Sequence, residues 1–158
     1  MKDTGNIPRL KKIEESVVWK DVCVLAEEMY ALLVRFPDEE RWLSAQKLRQ
    51  SANDVMYFTA TALGNTSPTG NEYDWSMVRK NLAALKTEYR FSGRQEWFKL
   101  DPEMMVRLDD IAKKIDAYVV EAYAQTESFN RREMNELRAK YELAQKTYKL
   151  KTSLGKKS

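Results

Sequence analysis

Between Val18 and Ala62 the apolar residues recur at helical spacing on both sides of one short joint, Phe36-Pro37-Asp38-Glu39-Glu40. Before the joint, Val18, Val22, Leu25, Met29, Leu32 and Phe36 alternate spacings of four and three. After it, Ala45, Leu48, Ala52, Val55, Thr59 and Ala62 alternate three and four. This period places each set on one side of an α-helix, which must bury that side against other helices. So short a joint predicts two antiparallel helices packed side by side.

The same spacing reappears twice. Trp75, Val78, Leu82, Leu85 and Tyr89 form the stripe of a third helix, ending near Ser92-Gly93. Met104, Leu108, Ile111, Ile115, Tyr118 and Ala122 form that of a fourth. The prediction is an all-α fold, an up-down-up-down antiparallel four-helix bundle with an additional C-terminal helix.

Local signals set the expected boundaries. Helix one starts near Ile13 or Ser16 and stops at Phe36, since a residue before proline avoids the helical region. Asp38 reads as the N-cap of helix two, with Glu39 and Glu40 favoured in its first turn. Gly64 closes that helix, and Gly64 to Asn71 reads as a loop. Residues 94–100, with Trp97, Phe98 and Leu100, read as a connection that docks its aromatic side chains on the bundle. Asp101, Pro102 and Glu103 give the clearest helix start in the chain. From Ser128 to Lys151, Met134, Leu137, Tyr141, Ala144 and Tyr148 keep heptad spacing in a polar background, a seam suited to a coiled coil. This segment either extends helix four or folds back. The domains expected are a flexible basic arm (1–12), the bundle (13–125) and a basic C-terminal helix and tail (126–158).

Composition removes several functions. There is no His, and the single Cys23 allows no intramolecular disulfide and no multi-cysteine zinc site. The commonest metal ligand and the commonest neutral-pH base are therefore missing. Carboxylate pairs such as Glu27-Glu28 and Asp109-Asp110 read as solvated helix faces, because a di-metal bundle site also requires histidine. With no Gly-rich phosphate loop and no nucleophile motif, the expectation is no enzyme, no metal and no cofactor. No apolar run has membrane-spanning length and the first residues form no signal-peptide pattern, so no membrane partner and a cytoplasmic location are expected.

Charge points to anionic partners. The net charge of +3 divides into +3 over residues 1–12, −5 over 13–126 and +5 over 127–158. Basic termini of this kind serve solubility equally well. On helix three, Arg79, Lys86 and Arg90 share a face at spacings of seven and four, with Lys80 beside them and Arg94 and Lys99 following. Such a ridge could track phosphates without reading sequence, or be an ordinary solvated face partly neutralised by Asp74 and Glu88. The tail adds Arg131, Arg132, Arg138, Lys140, Lys146, Lys149, Lys151, Lys156 and Lys157. Tyr141 and Tyr148 could stack on bases, although their heptad spacing favours helix packing.

Trp19-Lys20 through Leu25-Ala26 to Tyr30 and Phe36-Pro37 resembles the first helix of the bacterial four-helix-bundle protein family. That family includes proteins encoded in intervening sequences of ribosomal RNA genes and the accessory variability proteins (Avd) of diversity-generating retroelements. The resemblance continues through Leu43, Gln46, Leu48-Arg49 and Ser51-Ala52, the Tyr73-to-Tyr89 helix and Ile111 to Tyr118, covering most of residues 17–123. Many relatives close helix two with an Asn-Ile-Ala-Glu-Gly-like stretch, where this chain has Thr59-Ala60-Thr61-Ala62-Leu63-Gly64. The Gln46-to-Arg49 spacing is also one residue longer than the common pattern, and both departures lean towards the Avd-like branch. The resemblance implies a homo-oligomer, a ring-like pentamer, with a basic nucleic-acid-binding surface and no catalysis. In the Avd branch it also implies docking to a reverse transcriptase that copies a template RNA, so RNA is expected ahead of DNA. Arg49 then joins the helix-three cations and the tail as a nucleic-acid contact. The alternative is a structural adaptor whose C-terminal heptad helix serves protein–protein or self-association.

Overall fold

The computed structural model describes the backbone of residues 13–154 and the side chains of residues 13–148. Among them it is all-helical, with α1 (Val17–Leu33), α2 (Ser44–Gly64), α3 (Pro68–Arg94) and α4 (Pro102–Leu154), and residues 13–15 are helical as well. The basic arm predicted for residues 1–12 lies outside the described residues.

Every stripe residue predicted for the second and third helices is buried, as are Val18, Val22, Leu25 and Met29 of α1. With Met104, Leu108, Ile111, Ile115 and Ala122 of α4 the apolar ones form one hydrophobic cluster, with Leu32 and Tyr118 packed at its edge. Burying a side chain of this size contributes about 1.5–3 kcal/mol, so four stripes closing on one another hold the helices together.

The joints differ from expectation in instructive ways. α1 stops at Leu33 rather than Phe36, because the chain tightens through Arg35 N–H to Leu32 C=O (3.0 Å) before Pro37. Phe36 is thereby freed to turn inwards and is buried. Asp38 does not cap helix two. Asp38–Glu40 is a single 3-10 turn, closed by Glu40 N–H to Pro37 C=O (3.0 Å), and α2 begins at Ser44. The Ser44 hydroxyl donates to the Glu40 carboxylate at 2.7 Å across that step.

The loop expected from Gly64 to Asn71 contracts to Asn65–Ser67. Ser67 is the N-cap of α3, its hydroxyl accepting from Gly70 N–H at 3.4 Å, and Pro68 occupies the first helical position. The polar residues that looked like loop stitch two helix ends together. Asn71 donates to the Ala62 carbonyl at 2.6 Å, and Asn65 donates to Asp74 at 2.9 Å. The first satisfies a carbonyl that the end of α2 would otherwise leave open, and the second ties the joint to the start of α3.

After α3, Trp97 and Phe98 dock as the sequence predicts. Phe36 meets Trp97 at 5.2 Å and Phe98 at 5.7 Å between ring centroids, and Tyr89 stacks on Phe98 at 5.4 Å. The Tyr89 hydroxyl accepts from Asp101 N–H at 2.8 Å, and Asp101 accepts from Glu103 N–H at 2.9 Å, the capping role expected of it. Burial pushes the Tyr89 phenol up, so it stays protonated.

Side-chain pairs fix how the helices neighbour one another. α1 meets α2 through Tyr30 and Asn53, with Ile13 lying over Gly64. α1 meets α4 through Asp21–Lys114 and Glu28–Arg107. α3 meets α4 through Trp75–Tyr118 and Lys86–Asp109. In each case numbers rise along one helix while they fall along the other.

The additional C-terminal helix is not a separate element. Residues 128–151 belong to α4, which runs unbroken from Pro102 to Leu154. The reason is local: no Gly or Pro occurs between Glu103 and Leu154, so nothing interrupts the hydrogen-bond ladder. The chain divides into two compact units after Tyr123. In the second, every side chain from Glu127 to Tyr148 is exposed.

Candidate nucleic-acid interface

α3 carries five cations and only one carboxylate, Glu88, between Arg79 and Arg94. Arg79, Lys80, Arg90 and Arg94 are exposed, as is Lys99 in the following connection. Arg79, Arg90 and Arg94 keep to one side of the helix at spacings of eleven and four, and Lys80 sits beside them. Placing Arg90 and Arg94 in the last turns also complements the negative end of the helix dipole.

Lys86 behaves differently. It is half-buried, turned towards α4, and ion-paired with Asp109. The Lys86 hydrogen bond holds the Asp109 carboxyl below its ordinary range; burial opposes it, and the fields of Lys86, Arg90 and Lys113 add to the lowering. Three cations therefore surround one carboxylate. Lys113 also reaches Asp110 at 3.2 Å, an exposed pair of small energetic weight. Sequence spacing puts Asp109 and Lys113 together on α4 but could not bring them to Lys86, which Asp109 meets only when α4 packs beside α3.

Because Asp109 is more acidic in the folded chain, its contribution to stability is present above the unfolded carboxyl value and lost as pH falls through the folded one. Urea midpoints measured downwards from pH 6 should therefore fall below about pH 4. Asp109→Asn should flatten that part of the profile, and an unchanged profile would contradict the pairing.

Arg49 is exposed on α2 but does not join the ridge. It shares a face with Asn53, four residues on, which accepts from Tyr30 of α1. The α3 ridge lies on the flank next to α4, marked by Lys86. The two sites look towards different neighbours.

On the distal part of α4, Arg131, Arg132, Arg138, Lys140 and Lys146 are all exposed. Arg131 pairs with Glu127 at 2.9 Å. Arg131 and Arg138 share one face, Arg132 and Lys146 another, and Lys140 lies on neither. Residues 127–148 hold these five cations against Glu127, Glu133, Glu136 and Glu142, close to neutral. The basic excess of the tail resides in Lys149, Lys151, Lys156 and Lys157, whose side chains lie outside the described residues.

Cys23 is half-buried, and burial together with the neighbouring Glu27 pushes its thiol up, away from the reactive thiolate. Among the described residues no group of three or more Cys, Asp or Glu is placed to hold a metal ion, and no helix is long and apolar enough to cross a membrane. Compared with protein-family models and with curated proteins, the chain matches none.

Proposed function

We propose that this chain is a non-enzymatic accessory protein that holds nucleic acid, RNA ahead of DNA, by its phosphates. The observation that carries the reading is the α3 ridge: Arg79, Lys80, Arg90 and Arg94 stand exposed, while Lys86 and Lys113 flank Asp109. Such a surface attracts a polyanion without selecting sequence, since none of these side chains is held in a rigid fork that could read a base edge.

The opposed residue order of the α1–α2, α1–α4 and α3–α4 pairs supports an up-down-up-down bundle, the architecture of the Avd-like proteins that the sequence resembles. In that setting the chain assembles as a cytoplasmic homo-oligomer, a pentameric ring, and assists a reverse transcriptase. Repeating a modest ridge around a symmetry axis multiplies its field, which would turn a few exposed arginines into an effective anion collector.

The test is salt-dependent binding of single-stranded RNA by the wild-type chain and by Arg79→Gln/Arg90→Gln/Arg94→Gln. All three positions are exposed, so the fold tolerates the change. Losing three phosphate contacts should reduce the slope of log K against log salt by about 2. Absence of binding at low salt, or an unaltered slope in the triple variant, would remove the proposal.

A further inference from the structure

The second unit presents an apolar seam to water. Met134, Leu137, Tyr141, Ala144 and Tyr148 alternate spacings of three and four along α4; all are exposed, the four large ones from 53 % at Met134 to 71 % at Tyr148. Ala144 leaves a shallow concavity that it lines together with Tyr141, Gln145 and Tyr148. A Gln145 amide hydrogen bond to the Tyr141 hydroxyl, 3.0 Å, steadies that ring. Each residue of such a heptad seam can serve as a knob in a hole formed by four residues of a facing helix.

The charges beside the seam say which helix. With Met134 and Tyr141 at a positions and Leu137 and Ala144 at d positions, Glu133 and Lys140 occupy g, and Arg131, Arg138 and Gln145 occupy e. In a parallel, in-register pair each g residue faces the e residue five positions on in the other strand. Glu133 then meets Arg138 twice, Lys140 meets Gln145 twice, and no like charges oppose. An antiparallel pair that sets Leu137 against Tyr141 instead brings Arg138 against Arg138 and Lys140 against Lys140.

We propose that residues 130–148 pair with the same segment of a second copy of this chain, parallel and in register. The pairing stands independently of nucleic-acid binding and of the ring, because a two-fold contact cannot recur around five subunits and so lies outside the ring contacts. It makes the distal half of α4 a self-association element, with Glu133 and Arg138 as the residues that set orientation and alignment.

The experiment uses the full chain without nucleic acid, so its failure is separable from failure of the phosphate reading. In a Cys23→Ser background, Ala144→Cys places a thiol at a d position, where only a parallel in-register pair brings it to its own counterpart. Mild oxidation should then yield a covalent dimer. Adding Arg138→Glu sets carboxylates against each other and should slow crosslinking about tenfold, two exposed pairs having reversed sign. Mixing that chain with one carrying Glu133→Arg should restore the rate between unlike chains while like pairs remain slow. A chain that stays monomeric by light scattering at its highest soluble concentration, or a crosslink indifferent to these charges, overturns the proposal. So does a thiol at 144 that links only to one introduced by Tyr141→Cys, as a different alignment would require.

Discussion

Phe36→Ala is expected to lower the unfolding free energy by about 3–5 kcal/mol, the usual range for deleting a buried phenylalanine ring. Phe36 is buried, although it lies outside any helix, between the end of α1 and the turn at Asp38–Glu40. Its ring holds Trp97 and Phe98, and Phe98 in turn stacks on Tyr89 of α3. Removing it opens a cavity in which three elements meet, and each ring loses a partner on one side. Tilted pairs of this kind add about 0.5–1.5 kcal/mol apiece beyond simple burial. Urea denaturation followed by circular dichroism and by tryptophan fluorescence checks this, Trp97 beside the site being one of four tryptophans in the signal. A loss below about 1 kcal/mol would mean that the joint closes up without the ring.

Trp75→Ala should be comparably severe, about 3–5 kcal/mol, at the other end of α3. Trp75 is buried and lies face to face with Tyr118 of α4, centroids 4.3 Å apart and planes 8° from parallel. Fourteen residues separate Trp75 from Tyr89, about 21 Å along a helix, so the two aromatic clusters are far enough apart to act independently. Their costs should therefore add in the double variant if the unit remains folded. Trp75→Phe, which keeps a ring over Tyr118, should recover more than half of the loss. Equilibrium unfolding of the two single variants and the double variant measures both points.

The fold was largely legible because its core obeys one period. Twenty-two residues from Val18 to Ala122 form the buried apolar cluster, and the helical spacing of Leu48, Val55, Leu82 and Ile115 is visible without any coordinates. Joints were harder to read, because the same residue types serve loops and caps. Asn71 resembles a loop residue until Ser67-Pro68 is read as an N-cap followed by the first helical position. Asp38 resembles a cap until the 3-10 turn claims it. The candidate site was half legible: the exposed arginines of α3 can be counted from the sequence, but the fate of Lys86 cannot. Its partner Asp109 lies 23 residues away on another helix, where only packing brings it near. The tail shows the opposite case. Its seam is plain in the sequence, and exposure of the whole stretch from Glu127 to Tyr148 is what turns that seam from a packing surface into an open one.

The ion pairs of α4 also bear on handedness. Towards α1, α4 presents Arg107 and Lys114, and there they meet Glu28 and Asp21. Towards α3 it presents Asp109, which meets Lys86. Four helices of the same connectivity can turn either left or right around their common core, and apolar stripes fit both almost equally well. In the mirror arrangement α1 and α3 would exchange sides of α4. Arg107 and Lys114 would then face Lys86, and Asp109 would face Asp21 and Glu28. Each half-exposed pair is weak as a stabiliser, yet together they penalise the opposite turn of the bundle, so that charge selects what hydrophobicity leaves open.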